Sequence, residues 1–142
     1  MKKHKKSIIF ISIFLIVILT IFIVITYIYS SREKNFKTNI RQAEEVQIMS
    51  GSTGEYILLS KEDVEKLADK IEKVDFRFVL FPEQYSGWSY EISYRIGDND
   101  WWSMVFGGGY TQIVHNGDWK YYQYNQNLNE YVETMYKELG GK

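Results

Sequence analysis

The sequence predicts an α+β domain, built as an antiparallel meander sheet with two amphipathic helices on one face, preceded by a single N-terminal transmembrane helix. Three observations carry this. An uncharged, almost wholly aliphatic run opens the chain; apolar–polar alternation recurs in short segments divided by Gly and Asn turns; and two separate stretches place apolar residues at helical spacing.

Between Ile8 and Ile25, sixteen of eighteen residues are Ile, Leu, Val or Phe. At roughly −0.3 to −0.6 kcal/mol each near a helix centre, such a run favours insertion into lipid by several kcal/mol. Ser7–Ser30 as a helix spans about 36 Å, enough to cross a hydrocarbon core of about 30 Å, so the lipid bilayer is the first expected partner. A cleaved signal peptide has a shorter apolar region, of about 7–15 residues, ending at small side chains. Here Tyr27, Ile28 and Tyr29 interrupt the small residues, and the expectation is a retained anchor. Lys2, Lys3, Lys5 and Lys6 crowd the amino terminus, whereas Arg32, Lys34, Lys37 and Arg41 are spread beyond the helix. The denser cluster favours a cytoplasmic N-terminus. The expected organisation is a cytoplasmic tail (1–6), a transmembrane helix (7–30), a helical stalk or linker (31–45) and an extracytoplasmic α+β domain (46–142).

The stalk lacks Gly and Pro and sets Phe36, Ile40 and Ala43 on one helical face; it either prolongs the membrane helix or docks as a short amphipathic helix. Val46–Met49 and Glu55–Leu59 read as strands around the turn-forming run Ser50-Gly-Ser-Thr-Gly54. Ser60 and Asp63 then form a capping pair, and Val64, Leu67, Ala68, Ile71 and Val74 recur at helical spacing. Phe76–Phe81 is an apolar run of strand length stopped by Pro82. Trp88, Tyr90, Ile92, Tyr94 and Ile96 alternate with polar residues, predicting a strand with Trp88, Tyr90 and Tyr94 in the core. Gly97-Asp-Asn-Asp100 turns the chain into Trp101–Phe106. Gly107-Gly-Gly109 predicts a bend or bulge before Tyr110–His115, and Asn116-Gly117 is a hairpin signal into Trp119–Tyr124. The terminal helix carries Leu128, Tyr131, Val132, Met135, Tyr136 and Leu139 on one face and ends at Gly140-Gly141.

Charge narrows the partners. All eighteen acidic residues lie beyond the uncharged run, against thirteen Lys and Arg, so that part is net acidic and has no basic stripe; no nucleic acid is expected. The chain has no cysteine, which removes disulfides, thiol nucleophiles and cysteine-ligated zinc, and also the lipidation cysteine of a bacterial lipoprotein. His115 is the domain's sole imidazole, and a lone His at a strand end is ordinarily structural. Ser31-Arg-Glu-Lys34 matches S-x-x-K by form, but it abuts the bilayer and no K-T-G follows. Gly97–Asp100 is too short for a calcium loop and lacks the distal bidentate Glu. No cofactor, metal or catalytic residue is expected.

Aromatic content is the unusual feature, with four Trp and ten Tyr beyond the membrane run. Most should fill the core. Trp101 has opposite parity to Trp102, Met104 and Phe106, and Trp119 and Tyr121 oppose Tyr122 and Tyr124. Trp101, Trp119 and Tyr121 on one exposed face are the candidate binding patch, because aromatic faces stack on sugars and anchor peptide side chains.

Ser50-Gly-Ser-Thr-Gly-Glu55, Leu59-Ser-Lys-Glu-Asp63 opening a helix, Ser86-Gly-Trp-Ser-Tyr90 and a terminal helix together resemble an uncharacterised extracytoplasmic domain family. Its members are small secreted, lipoprotein-like or single-pass proteins of low-GC Gram-positive bacteria. The likeness covers about residues 46–139. It implies an extracytoplasmic location and carries no activity and no site residues.

The expected function is therefore a membrane-anchored, non-catalytic binding or regulatory domain at the cell surface, acting on a membrane protein, a peptide or a cell-wall glycan. The tail of about six residues is too short for an output domain. Two other classes compete: a small tethered hydrolase using carboxylates such as Glu83, Glu91 or Asp118, and an immunity or self-protection protein. Convergence of two carboxylates in a cleft separates the first from the binding module; toxin resistance lost on deletion identifies the second.

Overall fold

Helix α1 (Lys2–Asn39) runs without interruption from the aliphatic segment into the folded unit, in a computed structural model that describes residues 2–83, 87–124 and 127–141. Its apolar part is long enough and apolar enough to cross a membrane and is uncovered by the rest of the protein. The Thr20, Thr26 and Ser31 hydroxyls each donate to the carbonyl four residues back at 2.8 Å. That satisfies polar groups in a segment where lipid offers no partner.

Beyond Tyr29 the same helix becomes part of the core. Phe36 and Ile40 are fully buried, the latter in a 3-10 turn (Ile40–Gln42) that ends the helix. The span 31–45, set apart from the sequence as stalk or linker, thus supplies two core residues, and the packed unit begins well before Val46. The physical reason is that an apolar stripe one turn apart needs a surface to cover it, and the sheet provides one.

Seven strands follow: β1 (Glu45–Ser50), β2 (Tyr56–Leu58), β3 (Arg77–Val79), β4 (Tyr90–Ile96), β5 (Asp100–Gly107), β6 (Tyr110–His115) and β7 (Asp118–Gln123), with α2 (Lys61–Glu72) after β2 and α3 (Asn127–Glu138) last. All pair antiparallel in the order β2-β1-β4-β5-β6-β7-β3. The β4–β7 meander forms the body. β1 adds beside β4, and β3 crosses to the far edge beside β7, a long-range pairing that local pattern does not encode. Only Arg77–Val79 of the expected strand 76–81 joins the ladder. Pro82 has no N–H to donate to a ladder, and Leu80 and Phe81 lie in a bend outside it.

Register places one apolar set on a single face. Ile48, Ile92, Met104 and Ile113 lie in one cross-strand row, and Val46, Tyr94 and Trp102 in the next. All are buried, and α1, α2 and α3 cover them with Phe36, Ile40, Leu67, Ile71, Leu128, Val132 and Tyr136. The expected layering of helices on one sheet face is what the core shows. Tyr94 donates its hydroxyl to the Phe36 carbonyl at 3.0 Å, and burial pushes its phenol well above the ordinary value. Tyr122 does the same to the Tyr29 carbonyl at 2.6 Å. Two tyrosines of the sheet therefore hold α1 by its backbone.

The helix ends and turns follow local chemistry. Ser60 caps α2 by accepting the Asp63 N–H at 3.2 Å, and its own hydroxyl donates to the Asp63 carboxylate. Asn116 and Gly117 both have positive φ, the signature of a type I′ hairpin. Gly108 and Gly109 do too, and Gly107 pairs with Tyr110. The glycine run expected as a bend or bulge is therefore a second tight hairpin. Two other expectations shift. Trp88 lies before β4 and is 37% exposed rather than in the core, packed against Gly51, and Leu139 at the end of the last helix is exposed. Ser86 of the Ser86–Tyr90 motif lies outside the described residues.

Candidate functional site

The second face of the sheet carries the candidate site. Parity along each strand sends every residue between the core positions to the opposite side. Ser93 pairs with Ser103, Ser103 with Val114, and Val114 with Trp119. The adjacent row runs Glu91, Val105, Gln112, Tyr121, Val79. None of these belongs to the buried core cluster that the three helices cover.

Trp101 precedes Ser103 by two residues and shares this face. Trp101, Trp119 and Tyr121 are thus brought to one surface, with Trp101 48% and Trp119 58% exposed and Tyr121 half-buried. From strand spacing and rise, the Trp101 and Trp119 backbones stand about 12 Å apart. Ser103, two residues from Trp101 on β5, and Val114 on β6 lie along the path between them. Ser93, on β4 and so on the other side of β5 from Trp119, is nearly inaccessible and accepts from the Gln47 side-chain amide at 2.9 Å. Arg95 lies over the Trp101 ring at 5.6 Å, a cation–π contact that orients the indole. The Trp101 backbone is clamped at the β6–β7 turn: its N–H donates to Asn116 Oδ1 at 3.0 Å, and its carbonyl accepts the Asn116 N–H at 3.1 Å.

The carboxylates considered for hydrolysis do not converge. Glu91 is on the open face of β4. Asp118 starts β7, three strands away, in the row of His115, Trp102 and Tyr94, and so has the opposite parity. Its carboxylate receives Arg32 at 2.7 Å and Lys120 at 2.9 Å. Lys120 first, then Arg32, hold it below the usual carboxylate range. This cluster ties α1 to β7. Glu83 is exposed beyond Pro82.

Sequence order hid one pairing. His115 Nε2 lies 2.6 Å from Asp100 Oδ1, and its ring stacks on Trp102 at 4.0 Å between centroids. Asp100 opens β5 and His115 closes β6, so only the hairpin register joins them. The pair braces two adjoining strand ends. Among the described residues, no three His, Asp or Glu side chains gather as metal ligands.

No protein-family model and no curated protein sequence matches the chain. Its fold does match a solved one: the crystal structure of a "putative lipoprotein" from Clostridium perfringens superposes with a TM-score of 0.56 at 10% sequence identity, covering 75% of this chain and 91% of that one. At that identity the likeness is one of fold: the α+β arrangement of this chain occurs in a clostridial protein of nearly matching extent.

Proposed function

We propose that this chain is a single-pass, membrane-anchored, non-catalytic binding or regulatory domain displayed at the outer cell surface, with its N-terminus in the cytoplasm. The uncovered sheet face carries the reading. An open sheet face carrying two exposed indoles, with Ser103 and Val114 along the path between them, suits an extended partner that offers apolar faces for stacking and polar edges for hydrogen bonding. A cell-wall glycan, a peptide or a segment of another membrane protein has that character. The separation of Glu91 from Asp118 speaks for binding over hydrolysis. The long aliphatic helix, the resemblance to lipoprotein-like surface proteins and the lipoprotein description of the clostridial structure support the location.

The test is a photoreactive amino acid at position 101 in native membranes, with position 56 on the edge strand β2, three strands from β5, as control. A defined glycan or protein captured at 101 and not at 56 supports the reading; no capture at 101 refutes it. Topology is tested separately. Protease added to intact protoplasts removes the domain if the N-terminus is cytoplasmic, and full protection reverses the orientation.

A further inference from the structure

We infer that Leu80 and Phe81 form a second membrane contact, an apolar tip that enters the headgroup boundary beside α1; this rests on the reading that α1 crosses the bilayer.

The placement follows from how α1 leaves the domain. Tyr29 packs on Phe78 of β3 at 4.9 Å between ring centroids and accepts the Tyr122 hydroxyl through its carbonyl. One turn nearer the membrane, Thr26 lines a cleft with Phe76 and Phe78. Ile25 and Thr26 are the last half-buried residues, and Ile21 to Val24 are exposed again. β3 is the edge strand, so the helix leaves the sheet at that edge. The uncharged stretch ends only at Arg32, which is fixed to Asp118. The edge of the sheet therefore meets the helix where its apolar segment emerges.

Leu80 and Phe81 come directly after β3. Phe81 is 90% exposed and Leu80 42%, although both are large and apolar. Three residues of chain keep Phe81 within about 11 Å of Phe78. At 1.5 Å per residue that is no more than about seven helix positions from Tyr29. The ring is thus confined to the zone around the aromatic end of the anchor, where the interfacial and headgroup layer begins. A fully exposed Phe is costly in water and favourable at that depth, where apolar groups bury about 5–10 Å into the headgroup boundary. Continuity with the anchor singles out lipid as the occupant. A two-point attachment would also restrict rotation of the domain about α1 and hold the open sheet face at a set angle to the membrane.

The absence of native cysteine makes the test direct. Full-length Phe81→Cys, Tyr56→Cys and Ile18→Cys proteins are labelled with an environment-sensitive fluorophore and reconstituted in phosphatidylglycerol–phosphatidylcholine vesicles, with nitroxides carried on the lipid. The expected result is a blue-shifted label at 81, quenched several-fold more by shallow lipid nitroxide than the label at 56, with the label at 18 quenched by deep nitroxide. A label at 81 as wet and unquenched as that at 56, with 18 quenched, overturns the inference and leaves the anchor standing. Blue shift at 81 without lipid quenching indicates a second copy or another protein surface and also overturns it. Loss of quenching at 18 as well removes the anchor reading and this one together.

Discussion

Replacing Phe36 by Ala tests whether the end of the membrane helix is a structural part of the domain. Phe36 is wholly buried, with its ring 5.0 Å from Tyr94 and 6.4 Å from Trp102, and its carbonyl accepts the Tyr94 hydroxyl. Truncating a buried Phe to Ala typically costs about 3–5 kcal/mol, the transfer free energy of the ring plus the cavity it leaves. Total stabilities are about 5–15 kcal/mol, so the loss is a large fraction of what holds the domain together. With a urea slope of about 2 kcal/mol per molar, the midpoint falls by about 2 M. The measurement is urea unfolding of the full chain in micelles, followed by tryptophan fluorescence, with Phe22→Ala on the uncovered part of the helix as control. Phe22 lies on the exposed part of the helix that the rest of the protein leaves uncovered, and its replacement should leave the domain's midpoint unchanged. A Phe36→Ala shift no larger than the control's would mean that the helix end is a tether and that the sheet is stable without it.

Three further outcomes follow from the same geometry. Tyr94→Phe keeps the ring but removes the hydroxyl's bond to the Phe36 carbonyl, which retains its helical donor, so it should cost about 0.5–1.5 kcal/mol in the same titration; a neutral result would mean that this bond does not help to hold α1 to the sheet. Gly51→Ala would put a Cβ 2.1 Å from the Trp88 carbonyl oxygen, where Gly51 N–H already donates to the Ser89 carbonyl at 2.7 Å. Backbone must move, and the expected loss is about 1–3 kcal/mol with a changed near-ultraviolet Trp signal; unchanged stability would contradict the close approach. Asp118 is held below its ordinary range, so its contribution is present above the unfolded carboxylate value of about 3.9 and is lost as pH falls through the lower folded value. Asp118→Asn should therefore be less stable than wild type at neutral pH by a small margin, since the group is largely exposed, and the difference should vanish in acid; a pH-independent difference would refute the Arg32–Asp118–Lys120 assignment.

The elements legible in the sequence were those governed by near neighbours. The aliphatic run needs a helix because lipid cannot pair its backbone. Ser60 and Asp63 cap α2 three residues apart, Asn116-Gly117 makes the primed turn, and the alternation in β4 and β5 separates core from open face. Alternation offered Trp101, Trp119 and Tyr121 as a shared face only if their strands pair in register, and the β5–β6–β7 pairing supplies that condition. Where the same reasoning failed, a partner distant in sequence decided. Trp88 has the parity of Tyr90, yet it lies before the ladder begins and rests against Gly51. The Gly107–Gly109 run looked like a bulge because three glycines permit many conformations, and the Gly107–Tyr110 pairing selects the hairpin.

From residues alone, the chain could be read as a lipid-seeking helix joined to an acidic, aromatic α+β domain, because hydropathy and side-chain period act over a few residues. Only the folded chain decided that Phe36 and Ile40 close the core, that β3 crosses to the far edge beside β7, and that His115 meets Asp100. Those outcomes depend on which surfaces remain to be covered once the meander has formed. That competition is settled by burial across the whole sheet, and short-range pattern contains no record of it.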